Sequence, residues 1–306
     1  MNQIDYILYI IELSGGRKMQ KIGFIGTGVM GSGIINNLLK ANYQVSIYTR
    51  TESKAEPLIK KGAKWYNSPK EVVENADIIF SMVGFPKDVE DVYFNSEKGI
   101  FKDLKSNQTI VDMTTSTPTL AKKIGEKAEE IGALALDAPV SGGDVGARDG
   151  KLTIMVGGSK KAFDELQPIF EIIGKSNHYF GTYGAGQHAK MANQIMIAGT
   201  MTGMTEMLVY AKAANLDLPS IIKTVSGGSG DNWSLENYAP RILDSDFKPG
   251  FFSKHFLKDL RIAIDESEKM KLNLPATQKA KELYEKLVDE KDLGNDGTQA
   301  LVKLWW

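Results

Sequence analysis

A doubly wound, mostly parallel α/β sheet followed by an all-helical C-terminal domain is the fold class this sequence predicts. Apolar runs of strand length alternate with helical stretches from residue 21 to about residue 181. A glycine-rich turn joins the first such run to the first helix. After Gly181 the strand signal stops and only helical patterning continues. A chain of 306 residues is long enough for two domains, each with its own core.

Residues 1–18 stand before this pattern. Tyr6–Ile11 is apolar but short, Asp5 and Glu12 flank it, and no basic leader precedes it, so a peripheral extension is expected rather than a secretory signal. Met19 is an alternative start. The first strand is Lys21–Ile25, and GTGVMG turns into a helix over Ser32–Lys40 with Ile34, Ile35, Leu38 and Leu39 on one side. Gln44–Tyr48 is the second strand, and Ser53 is read as the N-cap of the next helix. Ser68-Pro69 and Thr117-Pro118 each open a helix with proline at its first position. Strands follow at Asp77–Val83, Gln108–Met113, Ala133–Asp137 and Leu152–Val156, with a last short one at His178–Phe180. Lys160–Ile173 reads as one helix. Beyond it, helices are expected over 187–214, 219–225, 233–238, 252–270, 275–289 and 297–304. The domains are thus an extension at 1–18, an α/β domain at 19–181 and a helical domain at 182–306.

Composition narrows the function classes. A net charge of -1 argues against nucleic acid as the main partner, and the lack of cysteine excludes thiolate and disulfide chemistry. No apolar run is long enough to span a membrane; the segment 195–207 is interrupted by threonines and Glu206. His178, His188 and His255 share no ligand spacing, so no metal is expected. The composition suits the cytoplasm.

Gly26, Gly28 and Gly31 fit G-x-G-x-x-G between a strand and a helix, the context in which that pattern marks a dinucleotide pyrophosphate site and a Rossmann-type sheet. The second strand ends in Tyr48-Thr49-Arg50-Thr51, with no acid before Glu52. A carboxylate there would bind a free ribose, whereas Arg50 and Thr51 suit a 2′-phosphate, so NADP(H) is favoured over NAD(H). The plainer reading of Arg50 is a solvated loop charge. Ser141-Gly142-Gly143 offers a hydroxyl and unobstructed N–H groups to a carboxylate; the plainer reading is an ordinary turn. Lys190 sits near the head of a long helix rich in small residues. Either it reaches to solvent, or burial favours its neutral amine and fits it for proton transfer.

The stretches GFIGTGVMGSGIINNLLK (23–40), DMTTSTP (112–118), DAPVSGG (137–143), GAGQHAK (184–190) and FSKHFLKDLRIA (252–263) together resemble the β-hydroxyacid dehydrogenase family. That is the group of 3-hydroxyisobutyrate dehydrogenase and tartronate semialdehyde reductase, within the 6-phosphogluconate dehydrogenase superfamily. The resemblance implies that Gly26, Thr27, Gly28, Val29, Met30 and Gly31 bind the cofactor pyrophosphate. Val83 and Thr115 line the ribose and nicotinamide, and Lys258 is a second lysine near the nicotinamide end. It further implies that Ser141, Gly142 and Gly143 hold a substrate carboxylate and that Lys190 is the proton-transfer residue. The family often has Asn four residues after that lysine; this chain has Gln194 there and Asn193 one place earlier, so either amide is open as the substrate ligand. Trp233 either closes the pocket or is a structural aromatic.

The expected reaction is NAD(P)-dependent hydride transfer between a small β-hydroxyacid and its oxo-acid. An imine-reducing enzyme and a non-catalytic cofactor sensor are the alternatives. A homodimer or homotetramer through the helical domain is the expected partner arrangement, with no nucleic acid and no membrane.

Overall fold

The computed structural model describes residues 20–306, and the extension expected at residues 1–18 lies outside them. The chain divides into two compact units, residues up to Lys190 and residues 191–306. The sequence boundary at 181/182 marks the end of the last strand; the division falls further on, inside the long helix.

The first unit is built on one sheet. Its strands are β1 (Ile22–Ile25), β2 (Val45–Tyr48), β3 (Lys64–Trp65), β4 (Ile78–Ser81), β5 (Thr109–Asp112), β6 (Leu134–Asp137), β7 (Val140–Ser141), β8 (Leu152–Gly158) and β9 (Gly174–Gly181). Strands β3-β2-β1-β4-β5-β6 run in that order and all parallel. Strand β8 then pairs antiparallel with β6 and β7, and parallel with β9. The order reverses between β1 and β4, which opens a crevice at the carboxyl ends of the strands, where ligands of such sheets bind.

The central strands IGFI, IIFS and TIVD are buried along their whole length. Continuous apolar runs of this kind, rich in β-branched residues, can hide both faces only between two helical layers. Phe24 pairs in register with Phe80, and their rings stack at 5.9 Å. Burying each ring contributes about 2–3 kcal/mol.

The helices of this unit are α1 (Val29–Lys40), α2 (Glu56–Ile59), α3 (Pro69–Glu74), α4 (Pro86–Phe94), α5 (Pro118–Ile131), α6 (Gly143–Asp149), α7 (Lys160–Glu165), α8 (Gln167–Ile173) and the head of α9 (Ala185–Ala213). The caps read from the sequence form where serine and threonine precede proline. Ser68 Oγ accepts from the Glu71 N–H at 3.2 Å, and Thr117 Oγ1 from the Leu120 N–H at 3.1 Å.

Several elements differ from expectation. Ser53 is no N-cap: it lies in a short 3-10 turn over Glu52–Lys54, and α2 starts later, with Pro57 in its first turn. Proline has no N–H to give to a preceding turn, so the helix begins around it. The single helix over Lys160–Ile173 is two, broken at Leu166, with Pro168 opening the second for the same reason. Strand β9 is longer than His178–Phe180 because it pairs with β8 from Gly174 to Gly181 across two register shifts.

The second unit is helical: the rest of α9, then α10 (Leu218–Ser226), α11 (Trp233–Leu243), α12 (Ser253–Lys269), α13 (Pro275–Glu285) and a 3-10 segment at Thr298–Leu304. One core gathers Phe256, Leu257, Leu260, Tyr284, Leu287 and Leu301, with Phe256 and Tyr284 edge to face at 4.9 Å. A second gathers Met201, Met204, Leu208, Leu235 and Ile242. Among the described residues no helix is long and apolar enough to cross a membrane.

Candidate active site

The loops at the carboxyl edge of the sheet hold the expected residues of the first unit. Gly26 follows β1 with φ +104, a conformation glycine adopts at little cost, and a Cβ there would strike the Met82 carbonyl oxygen. A Cβ on Gly31 would strike the Gly26 carbonyl oxygen, so α1 can approach the strand only through glycine. Gly28 is different: a Cβ there would meet nothing within 4 Å. It is also the N-cap of α1 and supplies no side-chain cap to the first N–H groups of the helix. Beside it, Thr27 Oγ1 is buried with no hydrogen-bond partner. A bare helix N-terminus, room where a side chain would sit and an orphaned hydroxyl fit the pyrophosphate of a dinucleotide.

Arg50 and Thr51 follow β2. The Arg50 side chain is 80% exposed and pairs with Asp88 at 3.3 Å. Asp88 also accepts from the Phe85 N–H at 3.1 Å, which caps α4. Val83 follows β4 and Thr115 follows β5, and the two loops are joined where the Val83 N–H donates to Thr114 Oγ1 at 3.0 Å.

Beneath them lies a buried polar chain that the sequence reading missed. Ser81 Oγ donates to Asp112 Oδ1 at 2.8 Å and bonds Tyr93 Oη at 2.9 Å, and the Thr114 N–H donates to the same Asp112 oxygen at 3.1 Å. Burial pushes the Asp112 carboxyl up to about 6, against the hydrogen bonds from Thr114 and Ser81 that pull it down.

Asp137 and Gln187 were also missed as functional positions, although both lie within the family-like motifs. Asp137 ends β6 and caps the head of α9: its Oδ1 accepts from the Gly184 N–H and its Oδ2 from the Gln187 N–H, each at 2.8 Å. Burial raises its carboxyl, and the backbone N–H groups of Gly184 and Gln187 oppose that rise. Gln187 is fully buried. Its amide donates to the Thr114 carbonyl at 2.7 Å and accepts from the Ser116 N–H at 3.0 Å, locking the loop after β5 to the helix head. Gly186 permits the approach, since a Cβ there would crowd the carbonyls of Asp137 and Met155. A carboxylate just before a turn and a glutamine directly after a glycine pair were the available signals.

One turn along this fixed helix, Lys190 is 6% exposed, and its Nζ donates to the Val140 carbonyl at 2.9 Å. A carbonyl can accept from an ammonium or from a neutral amine, so the bond can hold the nitrogen in either state. Val140 immediately precedes Ser141, Gly142 and Gly143. Ser141 is half-buried, and Gly142 and Gly143 both have positive φ. They lead into α6, which lies between the fifth and sixth expected strands and is tied down where Asn37 Nδ2 donates to the Ala147 carbonyl at 2.9 Å.

In the second unit, Asn193, Gln194 and Lys258 belong to one network. Gln194 is 1% exposed; its Nε2 donates to Asp259 Oδ2 at 2.6 Å and its Oε1 accepts from Asn193 Nδ2 at 2.8 Å. Lys258 Nζ pairs with the other Asp259 oxygen at 3.0 Å. Trp233 stands at the start of α11, largely exposed and edge-on to Tyr238 at 5.3 Å.

Sheet order, glycine loop and polar lining define a Rossmann-type dinucleotide-binding domain carried with a helical unit. Residues 21–184 match the family model described as the NAD binding domain of 6-phosphogluconate dehydrogenase. Residues 184–305 match that described as the NAD-binding domain of NADP-dependent 3-hydroxyisobutyrate dehydrogenase. The chain is 48% identical to the uncharacterized oxidoreductase YkwC of Bacillus subtilis, over 93% of its own length and 98% of that protein. It is 38% identical to 2-hydroxy-3-oxopropionate reductase of Escherichia coli, over 86% and 90% of the two chains. A solved structure of Mycobacterium tuberculosis 3-hydroxyisobutyrate dehydrogenase with L-serine superposes with a TM-score of 0.86 at 28% identity, covering 94% of this chain and 99% of that one. The chain therefore belongs to the β-hydroxyacid dehydrogenase family, and it is an NAD(P)-dependent oxidoreductase acting on the CH–OH group of hydroxyacids.

Proposed function

We propose that this oxidoreductase uses NADP(H) in preference to NAD(H) and interconverts a small β-hydroxyacid with its semialdehyde, with Lys190 as general acid and base. The observation that carries the reading is the Lys190 amine, buried and held by the carbonyl that leads into the Ser141–Gly143 loop. When bound, the nicotinamide supplies the acceptor or donor of hydride. Lys190 Nζ takes the hydroxyl proton in oxidation and returns it to the forming alkoxide in reduction. Ser141, Gly142 and Gly143 hold the substrate carboxylate through a hydroxyl and main-chain N–H groups. Asn193, rather than the buried and doubly bonded Gln194, orients the substrate oxygen, and the exposed indole of Trp233 covers the substrate.

For the cofactor, Gly26, Thr27, Gly28, Val29, Met30 and Gly31 receive the pyrophosphate, Arg50 and Thr51 the 2′-phosphate, and Val83, Thr115 and Lys258 the nicotinamide riboside. The NADP(H) preference rests on Arg50 and on there being no acid between Tyr48 and Glu52. The substrate class rests on relatives named for 3-hydroxyisobutyrate and 2-hydroxy-3-oxopropionate, small acids of this kind. In the same reading the enzyme works in the cytoplasm and forms a homodimer or homotetramer through its helical unit. An open apolar groove of about 620 Å³ there, lined by Met196, Gly199, Gly203 and Leu235, supports that pairing.

The test is turnover on a panel of small hydroxyacids and semialdehyde acids with NADPH and with NADH. Substrate-dependent oxidation of NADPH by at least one semialdehyde acid is expected. Equal or better rates with NADH, or no turnover on any member, overturn the cofactor or the substrate reading respectively.

A further inference from the structure

We infer that Gln194 is a positioning residue: it passes a fixed hydrogen-bond direction from Asp259 to Asn193, so that Asn193 presents its second Nδ2 hydrogen to the substrate oxygen and leaves the hydroxyl proton to Lys190. This rests on the proposed role of Asn193 as the substrate-orienting amide.

The direction follows from what each group is able to do. An ionised carboxylate only accepts, so the Gln194 atom 2.6 Å from Asp259 Oδ2 is the amide nitrogen. That leaves Gln194 Oε1 as the atom facing Asn193, where it accepts from Nδ2 at 2.8 Å. Asn193 in turn keeps its second Nδ2 hydrogen for a partner outside the chain of amides. Turning over either amide would set oxygen against oxygen, so the order is coupled from end to end. Gln194 and Asp259 are each 1% exposed, and water is not available to repair a broken link. Lys258 Nζ sits on the second Asp259 oxygen at 3.0 Å, and an ammonium there matches an acceptor-only carboxylate, which is what sets the direction. The positions Lys190, Asn193 and Gln194 share one face of α9 by their spacing of three and four residues. Methionine at 194 would fill the same space and carry no direction.

The experiment compares Gln194→Met, Gln194→Glu, Asn193→Ala and the double variant Asn193→Ala/Gln194→Met in hydroxyacid oxidation by the full chain. Gln194→Met is expected to raise the hydroxyacid KM about tenfold, the value of one buried hydrogen bond, with the NADP+ KM within about twofold of the parent. In the Asn193→Ala background the same change is expected to add nothing. Gln194→Glu provides a readout that packing alone does not move. While the introduced carboxyl is protonated, it donates to Asp259 and turns its carbonyl oxygen toward Asn193, reproducing the glutamine pattern. Once it is ionised, the two carboxylates repel and the pattern is lost. The hydroxyacid KM of Gln194→Glu should thus approach the parent value at acid pH and climb above it as pH rises. A Gln194→Glu profile parallel to the parent, or a Gln194→Met effect that persists in full without Asn193, overturns the inference. Should Gln194→Met not fold, the Gln194→Glu profile alone decides. An unchanged hydroxyacid KM in Asn193→Ala removes the underlying reading itself, whereas an impaired Asn193→Ala with a normal Gln194→Met removes only the relay.

Discussion

Lys190 Nζ and the Val140 carbonyl oxygen lie 2.9 Å apart, which ties a lysine in the head of α9 to the residue just before the Ser141–Gly143 loop. The tie holds because the helix head is itself anchored. Asp137 caps it through two backbone N–H groups, and Gln187 clamps it to the loop after β5.

Replacing Gln187 with leucine tests that anchoring. The change leaves the Thr114 carbonyl and the Ser116 N–H without their partner in a buried setting. Each orphaned group costs about 1–3 kcal/mol. Urea unfolding should show a loss of roughly 2–6 kcal/mol. A loss within the error of the wild type would mean that the clamp contributes nothing to stability.

The glycine loop separates binding from folding. Gly28→Ala meets open space, so the variant should fold with near-parental stability while its NADPH KM rises. Gly31→Ala meets the Gly26 carbonyl oxygen and should lose stability first. Thermal melts with and without NADPH distinguish the two, and the opposite ranking would place the pyrophosphate elsewhere.

Arg50→Gln tests the 2′-phosphate reading. The exposed Arg50–Asp88 pair is worth at most about 1 kcal/mol, so the fold should be unaffected. The ratio of kcat/KM for NADPH over NADH should fall at least about tenfold, as expected for a lost phosphate contact. An unchanged ratio removes Arg50 from cofactor choice.

Asp112 provides a pH signature. Its folded carboxyl titrates at about 6 because it is buried, against 3.8 for the ordinary group. Between those values the folded chain holds a proton that the unfolded chain releases, so stability from this residue is fully present at acid pH and is lost as pH rises through about 6. Asp112→Asn keeps an acceptor for Ser81 and the Thr114 N–H and cannot ionise. Its stability relative to wild type should therefore grow by about 2 kcal/mol from about pH 4 to about pH 7. A difference that does not vary with pH would contradict the assignment.

The sheet was legible because its strands are short apolar runs and its first turn carries glycines that only a close approach requires. The candidate loops were legible for the same reason: the fold sends them all to one edge. What stayed hidden is tertiary. Asp112, Asp137 and Gln187 read locally as ordinary polar residues, and their partners lie tens of residues away in the chain. Strand β7 and helix α6 have too few residues and too much glycine for a local signal. Gln194 reads in sequence as a displaced asparagine, and only its bond to Asp259 shows where its amide is engaged.

The most direct measurement is single-turnover reduction of an active semialdehyde acid by NADPH-loaded wild type and Lys190→Ala. Lys190→Ala should bind NADPH as wild type does and lose about 10²–10⁴ in the rate of the chemical step, the usual contribution of a positioned acid–base group. A chemical step in Lys190→Ala as fast as in wild type would contradict the role assigned to Lys190.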